Sequence, residues 1–141
     1  MPFRRFVFLL CLAGAVPIST AAQTVPANLQ LELNNMQDND GTCRLSFLAQ
    51  NKTGTTIEKA VFETVIFDSD GGVANLSLFD FRDLPAGSTR VRQFDLPGRS
   101  CDSVGKALIN GASSCVVDGA ESPICKDTLS LSSRLTVELI G

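Results

Sequence analysis

The groupings in this chain whose types and spacing could do chemistry are its cysteines, its Asp clusters and its arginines, and its 141 residues include no His, Trp or Tyr. Without imidazole there is no Ser-His or Cys-His nucleophile pair, no His general base and no imidazole metal ligand. Asp38-Asn39-Asp40-Gly41 and Asp68-Ser69-Asp70-Gly71 both spell D-x-D-G, a fragment of calcium loops. An EF-hand loop also needs an acid two residues before the first Asp and a Glu six after the Gly. Those places hold Met36 and Phe47 in one segment and Ile66 and Ser77 in the other. Both segments therefore read as hairpin turns, where Asp and Gly are favoured for backbone reasons. No metal site and no cofactor are expected. Paired carboxylates can do acid–base work without His, and here Asp80 and Asp83 flank Arg82 while Asp95 follows Arg92. Each of these reads more simply as a solvated strand edge or an exposed ion pair, so no catalytic residue is assigned. Arg82, Arg90, Arg92 and Arg99 are the densest basic cluster, a candidate anion patch set against a plain solvent face. Asn51-Lys52-Thr53 and Asn75-Leu76-Ser77 match the glycosylation sequon, which is uninformative if the host is bacterial.

The N-terminal segment sets the chemical surroundings. In residues 1–22, Arg4 and Arg5 precede an apolar run from Phe6 to Val16, Pro17 breaks it, and Thr20-Ala21-Ala22 offers small residues for cleavage. This is the pattern of a secretory signal peptide cleaved after Ala22. The run is shorter than the roughly 18 residues a membrane anchor needs, so no stable membrane insertion is expected once the signal is removed. Arg4-Arg5 raises the twin-arginine route, but the flanking residues fit general secretory export better. The remaining residues, 23–141, suit one domain. They hold 10 basic and 15 acidic side chains, a net charge of −5. Such a surface argues against nucleic acid as a partner. Loss of Cys11 leaves an even four cysteines, Cys43, Cys101, Cys115 and Cys125, which in an exported chain read as two disulfides. A zinc site is disfavoured, since no C-x-x-C spacing is present.

The elements that must position these residues read as strands and turns. Leu29, Leu31 and Leu33 alternate with polar residues, as do Cys43, Leu45, Phe47 and Ala49, although Leu48 interrupts the polar face. Residues 59–67 are β-branched and aromatic on both faces, as in a central or doubly covered strand. In 88–97, a bulge near Arg92-Gln93 would bring Val91, Phe94 and Leu96 to one side and leave Arg90 and Arg92 in solvent. Residues 102–110 allow a short helix or a strand, and Gly105 favours the strand. Residues 112–128 are expected to form a long loop holding Cys115 and Cys125. In the final segment, Leu129, Leu131, Leu135, Val137 and Leu139 keep odd parity, the mark of one strand.

Strands at 28–36, 42–50, 59–67, 73–81, 88–97, 104–110 and 128–140 predict an all-β fold. The expected architecture is an antiparallel, immunoglobulin-like β-sandwich of about seven strands with two disulfides. In that arrangement the second and sixth strands run parallel in opposite sheets, which places Cys43 and Cys101 at the same end. The expected bridges are Cys43–Cys101 across the sheets and Cys115–Cys125 within the loop. A helix at 102–110 would make Cys101–Cys115 competitive.

The most suggestive feature for function is a phase break in residues 73–81. Leu76 and Leu78 share one face, and Phe79 and Phe81 share the other. Either a bulge or covering loop reconciles the two pairs, or one pair is exposed. Leu76, Leu78, Phe79 and Phe81 are accordingly a candidate partner surface. The expectation is a non-enzymatic interaction or accessory protein of the bacterial periplasm that binds a protein partner through an apolar sheet edge or loop. The alternative is a His-free ligand-binding protein or hydrolase using the Asp and Arg clusters.

Two resemblances accompany this reading. Residues 62–68 (FETVIFD), then Asp70-Gly71 and Leu84-Pro85-Ala86-Gly87, resemble FxLYD-type domains over about residues 45–97. Those are small extracytoplasmic β-sandwiches. Through LFDFRDLPAG, RVRQFDLPG and CDSVGKALING, the chain beyond the signal is also similar to a group of small exported proteins of Gram-negative alphaproteobacteria. That resemblance implies export to the periplasm and no activity. Neither family supplies catalytic residues.

Overall fold

The computed structural model describes Met1, Ala21, Ala22 and residues 26–141. The expected signal peptide, apart from those three residues, lies outside the described part. No helix among the described residues is long and apolar enough to cross a membrane.

Alternation places Leu29, Leu31 and Leu33 of β1 (Leu29–Asn39) and Cys43, Leu45, Phe47 and Ala49 of β2 (Thr42–Asn51) on one buried face. Asp40 and Gly41 join these strands with φ of 47° and 79°, the paired left-handed residues that a two-residue hairpin requires. Next come β3 (Ile57–Asp68), β4 (Val73–Leu84) and β5 (Thr89–Pro97). A 3-10 turn (Cys101–Ser103) leads into β6 (Val104–Val117), followed by β7 (Ala120–Glu121) and the single helical turn α1 (Ile124–Asp127). The chain ends in β8 (Leu129–Ser133) and β9 (Glu138–Ile140).

Two sheets result. The first has the order β5-β2-β1-β8; the second runs β4-β3-β6, with β7 and β9 both pairing β6. Through β6, strands 1, 2 and 5 form one layer and 3, 4 and 6 the other, an immunoglobulin-like sandwich whose fourth strand lies in the opposite layer from its place in the constant-type domain. The fold is therefore the all-β sandwich expected, with both disulfides as paired above. Cys43 on β2 bonds Cys101 before β6 across a Cα separation of 4.9 Å. Cys115 on β6 bonds Cys125 of α1 across 6.0 Å. Disulfides fit a chain that folds in an oxidising compartment outside the cytoplasm.

Several expectations need correction, each for a long-range reason. The strand favoured for residues 102–110 is present from Val104, with Asp102 and Ser103 in the 3-10 turn, but β6 continues to Val117 because β3 pairs it along its length, from Asp68↔Val104 to Lys59↔Val116. Much of the expected loop at 112–128 is therefore sheet. Gly105 has its own role there: a Cβ at that position would lie 2.3 Å from the Asp68 carbonyl oxygen. The final segment is two strands. Ser133 Oγ donates to the Val137 carbonyl at 2.6 Å and accepts from the Leu135 N–H at 3.1 Å, which closes a turn between them. β8 then pairs β1 and β9 pairs β6, both in parallel, so the sandwich is not wholly antiparallel. In β5 no bulge occurs; its register with β2 is unbroken from Thr42↔Pro97 to Gln50↔Thr89. Val91 consequently faces solvent, and Arg92 shares the inner side with Phe94 and Leu96.

Asn51, at the end of β2, is fully buried and joins the layers. Its Nδ2 donates to the carbonyls of Thr55 at 2.8 Å and Leu84 at 2.7 Å, and its Oδ1 accepts from the N–H and hydroxyl of Thr53. In the folded chain the Asn51-Lys52-Thr53 sequon is a structural network whose amide nitrogen is already in use.

Candidate functional site

β3 is apolar on both faces. Ala60, Phe62 and Ile66 point into the core, whereas Val61 and Val65 are buried outside the core cluster, on the outer face of the second sheet. Strand register shows what surrounds them. Val65 pairs Leu76 on β4 and Leu108 on β6, and Leu108 pairs Ile140 on β9. The rung Leu76–Val65–Leu108–Ile140 thus crosses four strands without a polar residue. Leu76 is 58% exposed and Ile140 39%. One row to one side stand Leu78, Glu63 and Gly111; one row to the other stand Val73, Phe67, Lys106 and Glu138. Lys106 Nζ lies over the Phe67 ring, 5.4 Å from its centroid, and Glu63 accepts a hydrogen bond from Asn110 Nδ2.

At sheet spacing, three rows on four strands frame roughly 14 by 14 Å between Cα positions. With its side-chain fringe, this makes an apolar patch of roughly a few hundred Å2, the scale at which exposed patches on monomers carry interactions. The phase break in β4 has its explanation here. Phe79 and Phe81 are 3% and 0% exposed and belong to the core, whereas Leu76 and Leu78 are 58% and 59% exposed. Phe79 and Phe81 therefore drop out of the partner surface. The bulges in β4 lie elsewhere, at Ala74 and around Arg82, whose φ is 60°. Sequence reading missed Val65, Phe67, Leu108 and Ile140 as surface partners of the leucines. The available signal was the apolar character of residues 59–67 on both faces, but only pairing shows which residues share a rung.

The four arginines do not form one patch. Arg90 and Pro97 stand near opposite ends of β5, about 23 Å of strand apart, and Arg99 lies beyond Pro97, donating to the Ala74 carbonyl at 3.4 Å. Arg82 and Arg92 do meet, lining a shallow depression of about 450 Å3 with Arg44 and Asp95. Arg92 is structurally engaged: its Nε donates to the Phe81 carbonyl at 2.6 Å and its Nη2 to the Asp83 carbonyl at 3.0 Å. It fastens β5 of one sheet to β4 of the other where both are edges. Arg92→Ala leaves those carbonyls without their donor and should lower stability by about 2 kcal/mol. Arg92→Lys should recover less than half of that, because an ammonium cannot reproduce the guanidinium fork. Denaturant unfolding of the two variants measures both losses.

The carboxylates likewise have structural partners. Asp80 Oδ1 accepts from the Arg82 N–H at 2.8 Å, and Asp83 Oδ1 lies 3.7 Å from Arg92 Nη2. Asp68 Oδ1 accepts the N–H groups of Asp70 and Gly72 within the β3–β4 hairpin turn, Asp38 Oδ1 accepts that of Cys101, and Asp40-Gly41 forms the β1–β2 turn. Among the described residues no three His, Cys, Asp or Glu side chains gather in a metal-binding group.

Asp95 receives Arg44 Nε at 2.7 Å and Nη2 at 2.9 Å. The hydrogen bond from Arg44, and its charge, hold the Asp95 carboxyl below its ordinary range. A depressed folded-state value means that the pair contributes stability above the unfolded carboxylate range and loses it as pH falls through the folded value. Wild type should be slightly more stable than Asp95→Asn near neutrality, and the two should converge in acid; parallel unfolding curves across pH test this.

Comparison with protein-family models, curated proteins and solved structures finds no match to this chain.

Proposed function

We propose that the chain is an exported, non-enzymatic interaction or accessory protein of the bacterial periplasm that docks a protein partner on the outer face of its second sheet. The observation that carries this reading is the rung Leu76–Val65–Leu108–Ile140, with Leu78 beside it. Two leucines more than half exposed on one face of a strand are costly to leave in water, since covering what remains exposed of each stabilises by about 1–2 kcal/mol. Charged residues flank the rung without interrupting it, the pattern of an interface core with a polar rim. Two disulfides and the signal-like residues 1–22 support the periplasmic assignment.

A photoreactive residue placed at Leu78 tests the reading in intact cells, with one at Val91 on the outer face of the first sheet as control. The expected result is a discrete protein adduct from Leu78 and none from Val91. Equal labelling from both positions, or none from either, would overturn the docking role.

A further inference from the structure

We infer that the partner seated on this face is a second copy of the chain, a step that rests on the docking reading above. The two charges on the central strands beside the rung, Glu63 and Lys106, are complementary under a two-fold operation. Glu63 stands one row to one side of the Leu76–Val65–Leu108–Ile140 rung on β3, and Lys106 stands one row to the other side on β6. A two-fold axis lying along the rung stacks each rung on its copy and carries the Lys106 row of one copy onto the Glu63 row of the other. Lys106 then arrives over Gly111, which pairs Glu63 on the next strand, about 4.8 Å to its side. A long lysine side chain spans that distance. Because the operation is two-fold, the same pair forms a second time.

Gly111 makes room for this contact: it is exposed, and nothing lies within 4 Å of where its Cβ would stand. Neither Glu63 nor Lys106 takes part in the ion pairs found among the described residues, which are Arg44–Asp95 and Arg92–Asp83. The same operation sets Val73 of one copy against Leu78 of the other, both on β4 and both exposed. Twist makes stacked sheets cross at about 30°, and contacts within one row of the axis survive such a rotation. Asp80 lies farther out along β4, and Glu138 lies on the edge strand β9; both fall at the rim.

Area sets the strength. A standard interface removes about 800 Å2 per partner, more than this apolar patch provides, so the dimer should be reversible and dissociate in the micromolar range. Sedimentation velocity of the chain without residues 1–22, over a dilution series from nanomolar to sub-millimolar, should show concentration-dependent dimer. Leu76→Glu should leave only monomer with an unchanged melting temperature, since that side chain is exposed in the monomer. Lys106→Glu and Glu63→Lys should each weaken association about tenfold, and the double variant should recover most of the loss. A wild-type protein that stays monomeric throughout, or a Leu76→Glu variant that dimerises like wild type, overturns the inference. So does failure of the double variant to exceed either single one. Should a charge variant fold poorly, Leu78→Glu provides a second exposed substitution with the same expected loss. Adducts at Leu78 separate the two claims. A two-copy adduct supports both, an adduct with a different protein overturns the second copy while the docking role stands, and no adduct overturns both.

Discussion

Phe47→Ala should lower the unfolding free energy by about 3–5 kcal/mol, the range for a fully buried phenylalanine truncated to alanine. Phe47 is one of three core rings, with Phe81 and Phe94, that each meet three others. Its ring meets Phe79, Phe81 and Phe94 edge-on at centroid distances of 6.0, 5.5 and 5.8 Å. Phe79 stacks on Phe94 at 4.2 Å, and Phe62 meets Phe81 at 5.7 Å. Phe47 and Phe94 come from the first sheet; Phe62, Phe79 and Phe81 come from the second. Truncation therefore removes contacts that hold the layers together, and the neighbouring rings, fixed on three other strands, cannot collapse into the space. Aromatic pairs add about 0.5–1.5 kcal/mol each beyond area burial, which points to the upper half of the range. Phe47→Leu should cost less than half as much. Urea unfolding with an unchanged m value measures both, and a loss below about 1.5 kcal/mol for Phe47→Ala would contradict its role in holding the layers together.

Removing the Cys43–Cys101 bridge by the double substitution to alanine should cost about 4 kcal/mol, and removing Cys115–Cys125 about 2.7 kcal/mol. The difference follows from loop closure. The first bridge joins residues 58 apart in sequence and the second joins residues only 10 apart, so the first restricts the unfolded chain more. Cys43 and Cys125 are both fully buried in the core, so the void that alanine leaves is similar for the two bridges and chain entropy sets the difference. Chemical unfolding of the two double variants should rank them in that order. The reverse ranking would mean that native-state packing around α1 outweighs chain entropy.

How much of the fold was legible in the sequence depends on the range of the interaction that decides each feature. The leucines of β1 and the alternating residues of β2 are local patterns, and they fold as they read. Asp40-Gly41 is legible as a turn for the same reason, since its left-handed backbone is set by two residues. Cys43–Cys101 followed from strand order because both cysteines lie at one end of the sandwich. The misreadings share another cause. Arg92 belongs by charge in solvent, yet an unbroken register with β2 turns it inward, where the carbonyls of Phe81 and Asp83 accept its guanidinium. Residues 128–140 hold parity as one strand would, but Ser133 closes a turn and the two halves pair with different sheets.

The candidate surface shows the same division. Sequence alone determined that Leu76 and Leu78 oppose Phe79 and Phe81, because side chains alternate along any extended chain and four apolar residues in two phases cannot share a face. It likewise determined the strand-and-turn character of the chain and an even set of cysteines beyond residue 22. Only the tertiary structure decided which pair is buried, and that Val65, Leu108 and Ile140 continue the exposed one into a four-strand rung flanked by Glu63 and Lys106. Alternation is a property of one strand. Which strand lies alongside, and in what register, is settled by packing between residues far apart in the chain, and a rung exists only once those neighbours are in place.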